Sequence, residues 1–360
     1  MKRTDLVSNL ALVSNALAKE SEQILPILKG LRFKDGNVMA HDDIVAVELP
    51  LDFPVTGIVP GHQLIKFLES CDAKEVTVES DKKSMTVKCG RARLKQPITS
   101  VKDWPFAVPK DYEGKELQGI KVGEGFFKAL TTTAAPVRDR GLASWLGGVN
   151  FYFRGKALHL YGVNPARTAV CYVAVKVSSR AEKLSGRYIA PANFCKAALA
   201  MAKVFGEDAR LYVTPDFMIL LWSEKKAVCF TKLIDPDGPN VENVIGGAME
   251  AAKTYVKITA SMVQSLKRAA SLGVEGACKI KITDDKLIFK TDTDGNSLMN
   301  DSVKLSYKHP NVEATITADA LMRMIDHCAE IAFLENQVVA RSDDGGFYYV
   351  VANKAEKGEE

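Results

Sequence analysis

The strongest constraint on this chain is a unit that recurs six times along its 360 residues. Each copy sets a short apolar stretch before a turn or cap residue, then an amphipathic helix, then alternating strands. Aligned on the first large apolar residue of the helix, copies two to six read IVPGHQLIKFL (58–68), IKVGEGFFKAL (120–130), YIAPANFCKAAL (188–199), VKITASMVQSL (256–266) and TITADALMRMI (315–325). The opening stretch DLVSNLALVSNALAK (5–19) fits as a first copy with a weaker match. A repeat of this kind makes the fold a set of similar supersecondary units that bury their apolar faces together.

Hairpins complete the units. EVTVES and SMTVKCG flank Asp81-Lys82-Lys83, and ARLYVT and FMILLWS flank Pro215-Asp216. CKIKIT and KLIFKT flank Asp284-Asp285, and VVARS and FYYVVAN flank Asp344-Gly345. Period-two alternation bounded by Asp, Gly and Pro is the hairpin signature. Units of about 60 residues pair into domains of about 120, a comfortable size for one core. We therefore expect an α+β chain of three similar domains, 1–116, 117–248 and 249–360. The polar stretch 115–119 and the small-residue run Gly246-Gly247-Ala248 mark the joints.

Composition narrows the class. Hydrophobic residues make up 47% and charged residues 26%, the balance of a globular protein. No apolar run reaches the ~18–20 residues of a membrane span. Asp5 and Asn9 interrupt the stretch that a signal peptide keeps apolar, so a cytoplasmic protein is expected. Seven cysteines lie at 71, 89, 171, 195, 229, 278 and 328, none in a CxxC pair. That usage fits a reduced compartment with cysteines as small core residues. The net charge of +4 hides an uneven distribution. Residues 1–116 carry 17 basic and 17 acidic side chains, 117–248 carry 17 and 10, and 249–360 carry 14 and 17. An excess of seven positive charges in the middle third points to a polyanionic partner.

One helix position concentrates that charge. Two residues after the apolar anchor stand Lys66, Lys128, Lys196, Gln264 and Arg323, four of them basic. Two residues rotate a helix by about 200°, so this column points away from each core. Lys203 shares the face of Lys196, seven residues on. Any one of these lysines reads most simply as a solvated helix face. Repeated at equivalent positions about an axis, they form a ring of positive charge suited to a phosphate backbone held without base readout. Arg138-Asp139-Arg140, just past the third helix, reads equally as a salt-bridged loop or a phosphate tracker.

Other chemistry is missing from the sequence. Asp292-Thr293-Asp294-Gly295-Asn296 begins like a calcium loop, but its sixth position is Ser297 and its twelfth Val303, so it reads as a turn between strands. His41-Asp42-Asp43 and His327-Cys328 lack a third ligand at metal-binding spacing. There is no phosphate-binding P-loop, no nucleophile elbow and no nucleophile–base pair. No catalytic residue, metal or cofactor is expected.

Short strings across the chain resemble one family. Val228-Cys229-Phe230-Thr231-Lys232-Leu233-Ile234-Asp235, continuing to Pro239 and Val244, resembles the FTSKLVDGRFPDYRRVL signature of the bacterial DNA polymerase III β subunit, the sliding clamp. Arg91-Ala92-Arg93-Leu94 through Asp103-Trp104-Pro105 resembles its R-x-R-F…DFP segment, and Leu25-Pro26-Ile27-Leu28 its LPIL. LHLYGVNPARTAV (158–170) stands where the family has L-x-x-x-A-T-D-G-H-R-L-A-V, and Tyr349-Val350-Val351 matches its YVV. The matches keep order and register over essentially the whole chain.

The resemblance implies a head-to-tail dimeric ring of two chains. Each of its three domains would hold two β-α-β-β-β units, with helices lining the channel and sheets outside. It implies a non-enzymatic clamp on duplex DNA that tethers a replicative polymerase, with a clamp loader and other clamp-binding-motif proteins as partners. The basic column then faces DNA, with Arg91, Arg93, Arg138 and Arg140 as further contacts. The homodimer contact falls on Leu94 and Gln96 of one chain and on Ser271 and Leu272 of the other. The family's partner-peptide pocket falls on Leu146, Val163, Pro165, Ala166, Arg167 and Thr168. Pro239, Asn243, Val244, Val350 and Ala352 complete it. Here Asn164-Pro165-Ala166 replaces the family's Asp-Gly-His, Thr168 a leucine and Asn243 an arginine. Such departures fit a divergent clamp of a kind that a phage could encode. The charged end NKAEKGEE (353–360) runs past the family's usual terminus. Two further readings stand beside the clamp. One is a clamp-fold scaffold that binds partner peptides without encircling DNA. The other is a DNA-modifying enzyme drawing on scattered acids such as Asp42, Asp43 and Asp103.

Overall fold

The computed structural model describes residues 1–22, 24–107, 119–137, 144–164, 169–177, 184, 186–238, 240–272, 277–283, 285–292, 298–305 and 312–352. The chain divides into two compact units. One comprises Met1–Thr131, Phe153–Lys156 and Val177–Asp235, and the other Thr132–Tyr152, Ala157–Lys176 and Pro236–Glu360.

The first unit is built on an eight-stranded sheet. Its order is Gly57–Pro60, Gly30–Lys34, Asn37–His41, Val45–Pro50, Ala227–Lys232, Phe217–Trp222, Ala209–Val213 and Ile120–Val122. Two meanders of neighbouring strands meet at one seam, where Val45–Pro50 runs antiparallel to Ala227–Lys232 with Val47 opposite Cys229. The seam carries the sheet across the joint expected near residue 116. Apolar residues on one face, Ala46, Ile219, Val228 and Phe230, cluster with Phe106 and Tyr212.

Four helices belong to the repeated units here: α1 (Arg3–Val13), α2 (Gly61–Glu69), α3 (Glu124–Ala134) and α4 (Ala192–Phe205). Within the first unit, α1 packs on both α2 and α4. Pro60 and Pro191 stand immediately before α2 and α4, each with φ −56°, the angle the pyrrolidine ring imposes. Gly206 ends α4 at φ +86° and donates its N–H to the Ala202 carbonyl at 2.9 Å, a glycine-capped stop. The expected first hairpin forms, Thr77–Ser80 pairing with Ser84–Cys89, and Ala92–Pro97 adds a third strand at the end of this small sheet.

The second unit repeats the plan. Its large sheet runs Gly148–Arg154, Ala157–Asn164, Ala169–Lys176, Phe347–Ala352, Gln337–Arg341, Glu330–Phe333 and Val256–Lys257. The seam is again a pairing of two last strands, Ala169–Lys176 with Phe347–Ala352. The strand alternation sorts side chains to two cores. α5 (Val241–Ala251) buries Val241, Ile245 and Ala248 with Tyr161, Val339 and Val350. α6 (Ala260–Leu272) and α7 (Ala318–Ile325) bury Met262, Leu266, Leu321 and Met324 in the cluster that holds Cys171, Val338 and Tyr349. A four-stranded sheet, ordered Leu298–Lys304, Lys286–Asp292, Ala277–Thr283 and Val312–Thr317, completes the unit.

All six expected helices and the four expected hairpins are present, with Asp284 outside the described residues. α5 was not expected: Gly246-Gly247-Ala248, read as a joint, is helical. Asn240 caps it, its side-chain oxygen accepting the Glu242 N–H at 3.0 Å. No described helix is long and apolar enough to cross a membrane.

Candidate nucleic-acid interface and partner pocket

The alignment of half-repeats fixes where the charged column goes. All five anchors, Leu64, Phe126, Phe194, Met262 and Leu321, are at most 2% exposed. Burying each contributes about 1.5–3 kcal/mol, which sets the rotation of its helix. Lys66, Lys128, Lys196 and Gln264, two residues on, are exposed, as is Lys203. Lys66 lies 3.6 Å from Glu20, both well exposed. An exposed ion pair of that kind is worth at most about 1 kcal/mol and does not hold the helix. Lys66, Lys128, Lys196 and Lys203 all belong to the first unit. Arg323 falls on α7, and its side chain is outside the described residues, as are Arg138 and Arg140 altogether.

Arg91, in the turn before the strand Ala92–Pro97, and Arg93, on that strand opposite Lys88, are exposed. Leu94 is half-buried and Gln96 is 2% exposed. The Gln96 amide donates to the Pro60 carbonyl at 3.2 Å and to the Gln63 side chain at 3.3 Å. This polar side chain therefore ties its strand to α2 rather than facing solvent. Ser271 is exposed near the end of α6, its hydroxyl donating to the Arg268 carbonyl at 2.8 Å. The Leu272 side chain is outside the described residues.

The pocket residues that are described all lie in the second unit, around α5. Val163 packs against the cluster under α5, Val350 is part of it, and Leu146 is buried. Asn243, Val244 and Ala352 are exposed, Val244 by 54%. An exposed valine one residue before buried Ile245 gives α5 an apolar rim facing solvent. Pro165, Ala166, Arg167, Thr168 and Pro239 lie outside the described residues. Sequence reasoning missed the aromatic floor beside these residues. Tyr152, Tyr161 and Tyr172 follow one another with ring centroids 5.1 Å apart. The Tyr152 hydroxyl bonds the Asn240 side chain at 3.2 Å, and Tyr172 bonds His159 Nδ1 at 2.6 Å. Burial, reinforced by Glu242, raises the Tyr161 phenol well above its usual range, so it stays protonated. Trp145 lies over Gly238, where a Cβ would sit 2.6 Å from the indole. Tyr152 lies in the run Phe151-Tyr152-Phe153, and nothing local tells which of these rings a helix will cover.

Among the described residues no group of three or more His, Cys, Asp or Glu side chains could hold a metal ion. Asp42 accepts the backbone N–H groups of Ile44 and Val45, closing a turn, and burial raises its carboxyl. The loop residues 293–297 are outside the description.

Solved structures decide the fold. No family model matches the sequence. The DNA polymerase sliding clamp from Bacillus subtilis superposes with a TM-score of 0.83 at 14% identity, covering 99% of this chain and 98% of that one. The clamp from Caulobacter crescentus gives 0.82 at 16% identity and 99% coverage of both chains. That from Pseudomonas aeruginosa gives 0.81 at 15%, again with 99% of both. The chain has the sliding-clamp fold. Coverage of 98–99% of each chain, at 14–16% identity, carries the fold and not the site.

Proposed function

We propose that this protein is a DNA sliding clamp, a non-enzymatic ring that encircles duplex DNA and tethers a replicative polymerase. The observation that carries the reading is the lysine column: equivalent positions on successive half-repeats of a sliding-clamp fold are exposed and basic. Such a column neutralises phosphates without reading bases, which is what a sliding contact needs. Three clamp domains, 1–116, 117–248 and 249–360, would each hold two half-repeats.

Two chains would close head to tail into a homodimer. Ala92–Pro97 and Leu298–Lys304 are end strands of their sheets, and α6, which ends at Leu272, packs beside the second. A contact through these backbone edges fits Leu94, Ser271 and Leu272 better than one through the inward-turned Gln96. The apolar rim at Val244, with Leu146, Val163 and Val350, would take short linear motifs from the polymerase, a clamp loader and other factors in the cytoplasm. Asn243 in place of arginine, with the tyrosine floor, gives the pocket a peptide preference of its own.

The test replaces Lys128, Lys196 and Lys203 together by glutamate. Retention on circular duplex DNA, loaded by a cognate loader or closed as a ring on the DNA, is expected to fall at least tenfold, with the thermal midpoint unchanged. Retention equal to wild type would overturn the clamp reading and leave the peptide-binding scaffold.

A further inference from the structure

Cys71 and Cys89 lie on neighbouring stretches of chain in the first unit. Cys71 follows the end of α2, and Cys89 is the last residue of the strand Ser84–Cys89. Cys89 is the side chain that acts most strongly on the Cys71 thiol, which donates to the Phe67 carbonyl at 3.1 Å. The backbones run close. A Cβ built on Gly90 would sit 3.4 Å from the Ala73 Cβ, so residues 71–73 and 89–90 form two adjacent strings of chain. Gly90 takes φ +61°, turning the chain sharply into Ala92–Pro97. Both residues are buried, at 7% and 3% exposure.

We propose that Cys71 and Cys89 form an oxidisable pair that closes to a disulfide with a low-molecular-weight disulfide of the glutathione class. In the first step one cysteine, deprotonated, attacks a sulfur of the small disulfide. A mixed disulfide forms and one small thiolate leaves, taking up the proton. In the second, the other cysteine, deprotonated, attacks the protein sulfur of the mixed disulfide and expels the second small thiol. Two protein thiols are oxidised and one small disulfide is reduced to two thiols.

The surroundings set the rate. Burial and the neighbouring Cys89 push the Cys71 thiol up to about 11, while Arg3 pulls the other way. Exchange in the closed fold is therefore slow, and it proceeds when the hairpin opens or as the chain folds. The bond would fasten the end of α2 to the turn that leads into the strand carrying Arg93 and Leu94. It is independent of whether the chain encircles DNA.

The test unfolds the reduced protein in urea and refolds it overnight in a buffer of oxidised and reduced glutathione. Free thiols are then blocked and the protein digested without reduction. The expected result is a linked peptide joining Cys71 to Cys89 in most molecules, two hydrogens lighter than the reduced pair. A thermal midpoint raised by about 5 °C should accompany it, returning to the reduced value on addition of dithiothreitol. Cys71→Ser and Cys89→Ser should each abolish the link, and the double variant should keep the midpoint of the reduced protein. Complete blocking of both thiols, linkage to other cysteines instead, or a lower midpoint in the linked protein would overturn the proposal.

Discussion

His41 is a residue whose environment is at odds with its chemistry. The ring is 2% exposed, stacks on Phe106 with centroids 4.1 Å apart, and has no hydrogen-bond partner at either nitrogen. Burial lowers it from 6.5 to about 4, against the pull of Asp43 and with the help of Lys232. Because the folded value lies below the unfolded one, the unfolded chain takes up the proton first. The stabilisation is fully present above pH 6.5 and is lost as pH falls toward 4. Between pH 7.5 and 5 the protein should lose about 2 kcal/mol from this group, read from urea midpoints. His41→Phe, which keeps the stack, should remove that part of the loss; an equal loss in both proteins would refute the argument. Gly162 makes a second residue-scale case. A Cβ there would sit 1.7 Å from the Thr133 carbonyl oxygen, a backbone atom that cannot swing aside. Gly162→Ala should cost about 3 kcal/mol or more, seen as a drop in thermal midpoint. Neither contact was legible in the sequence. Each joins residues far apart in the chain, and local pattern carries no information about such pairs.

At the scale of elements, the helices were legible because one property repeats. The apolar anchor and the polar residue two places later stay in register in copy after copy, and burial of the anchor turns every helix the same way. The lysine column follows from that geometry alone. If it holds phosphates, the loss from the triple glutamate variant should shrink as salt is raised from 50 to 200 mM, since counterion release drives such contacts. A loss that stays constant with salt would point instead to a damaged fold. α5 shows the opposite case. Gly246 and Gly247 weaken helix propensity, and a small-residue run reads as a linker. The Asn240 cap and the first-turn Glu242 were the available signal, outvoted by the glycines. Packing of Val241, Ile245 and Ala248 on the tyrosine floor supplies what propensity lacks. Of the proposed partner pocket, the resemblance suggested aliphatic positions, and not the aromatic floor, because strand alternation names two faces without saying which one a helix will cover.

For the whole molecule, the clamp reading has a simple arithmetic consequence. The 39.3 kDa chain should run at about twice its mass, near 79 kDa, by light scattering at micromolar concentration. A mass near that of one chain would mean that the edge-strand contact does not hold without DNA. The three-part division was read from the repeat, and each compact unit of the chain joins sequence from more than one of those parts. The seams explain this. Two meanders that share a strand pair share a sheet, and hydrogen bonding across the joint binds them more closely than the repeat boundary suggests.

Those seams also set a timetable for synthesis. Val45–Pro50 is made early, but its partner Ala227–Lys232 emerges from the ribosome only some 180 residues later. At about 5–20 residues per second the first meander waits roughly 10–40 s with one edge unsatisfied. During that interval the nascent chain presents a bare β-edge to every other chain in the polysome, and its protection during those seconds falls to whatever holds nascent chains apart.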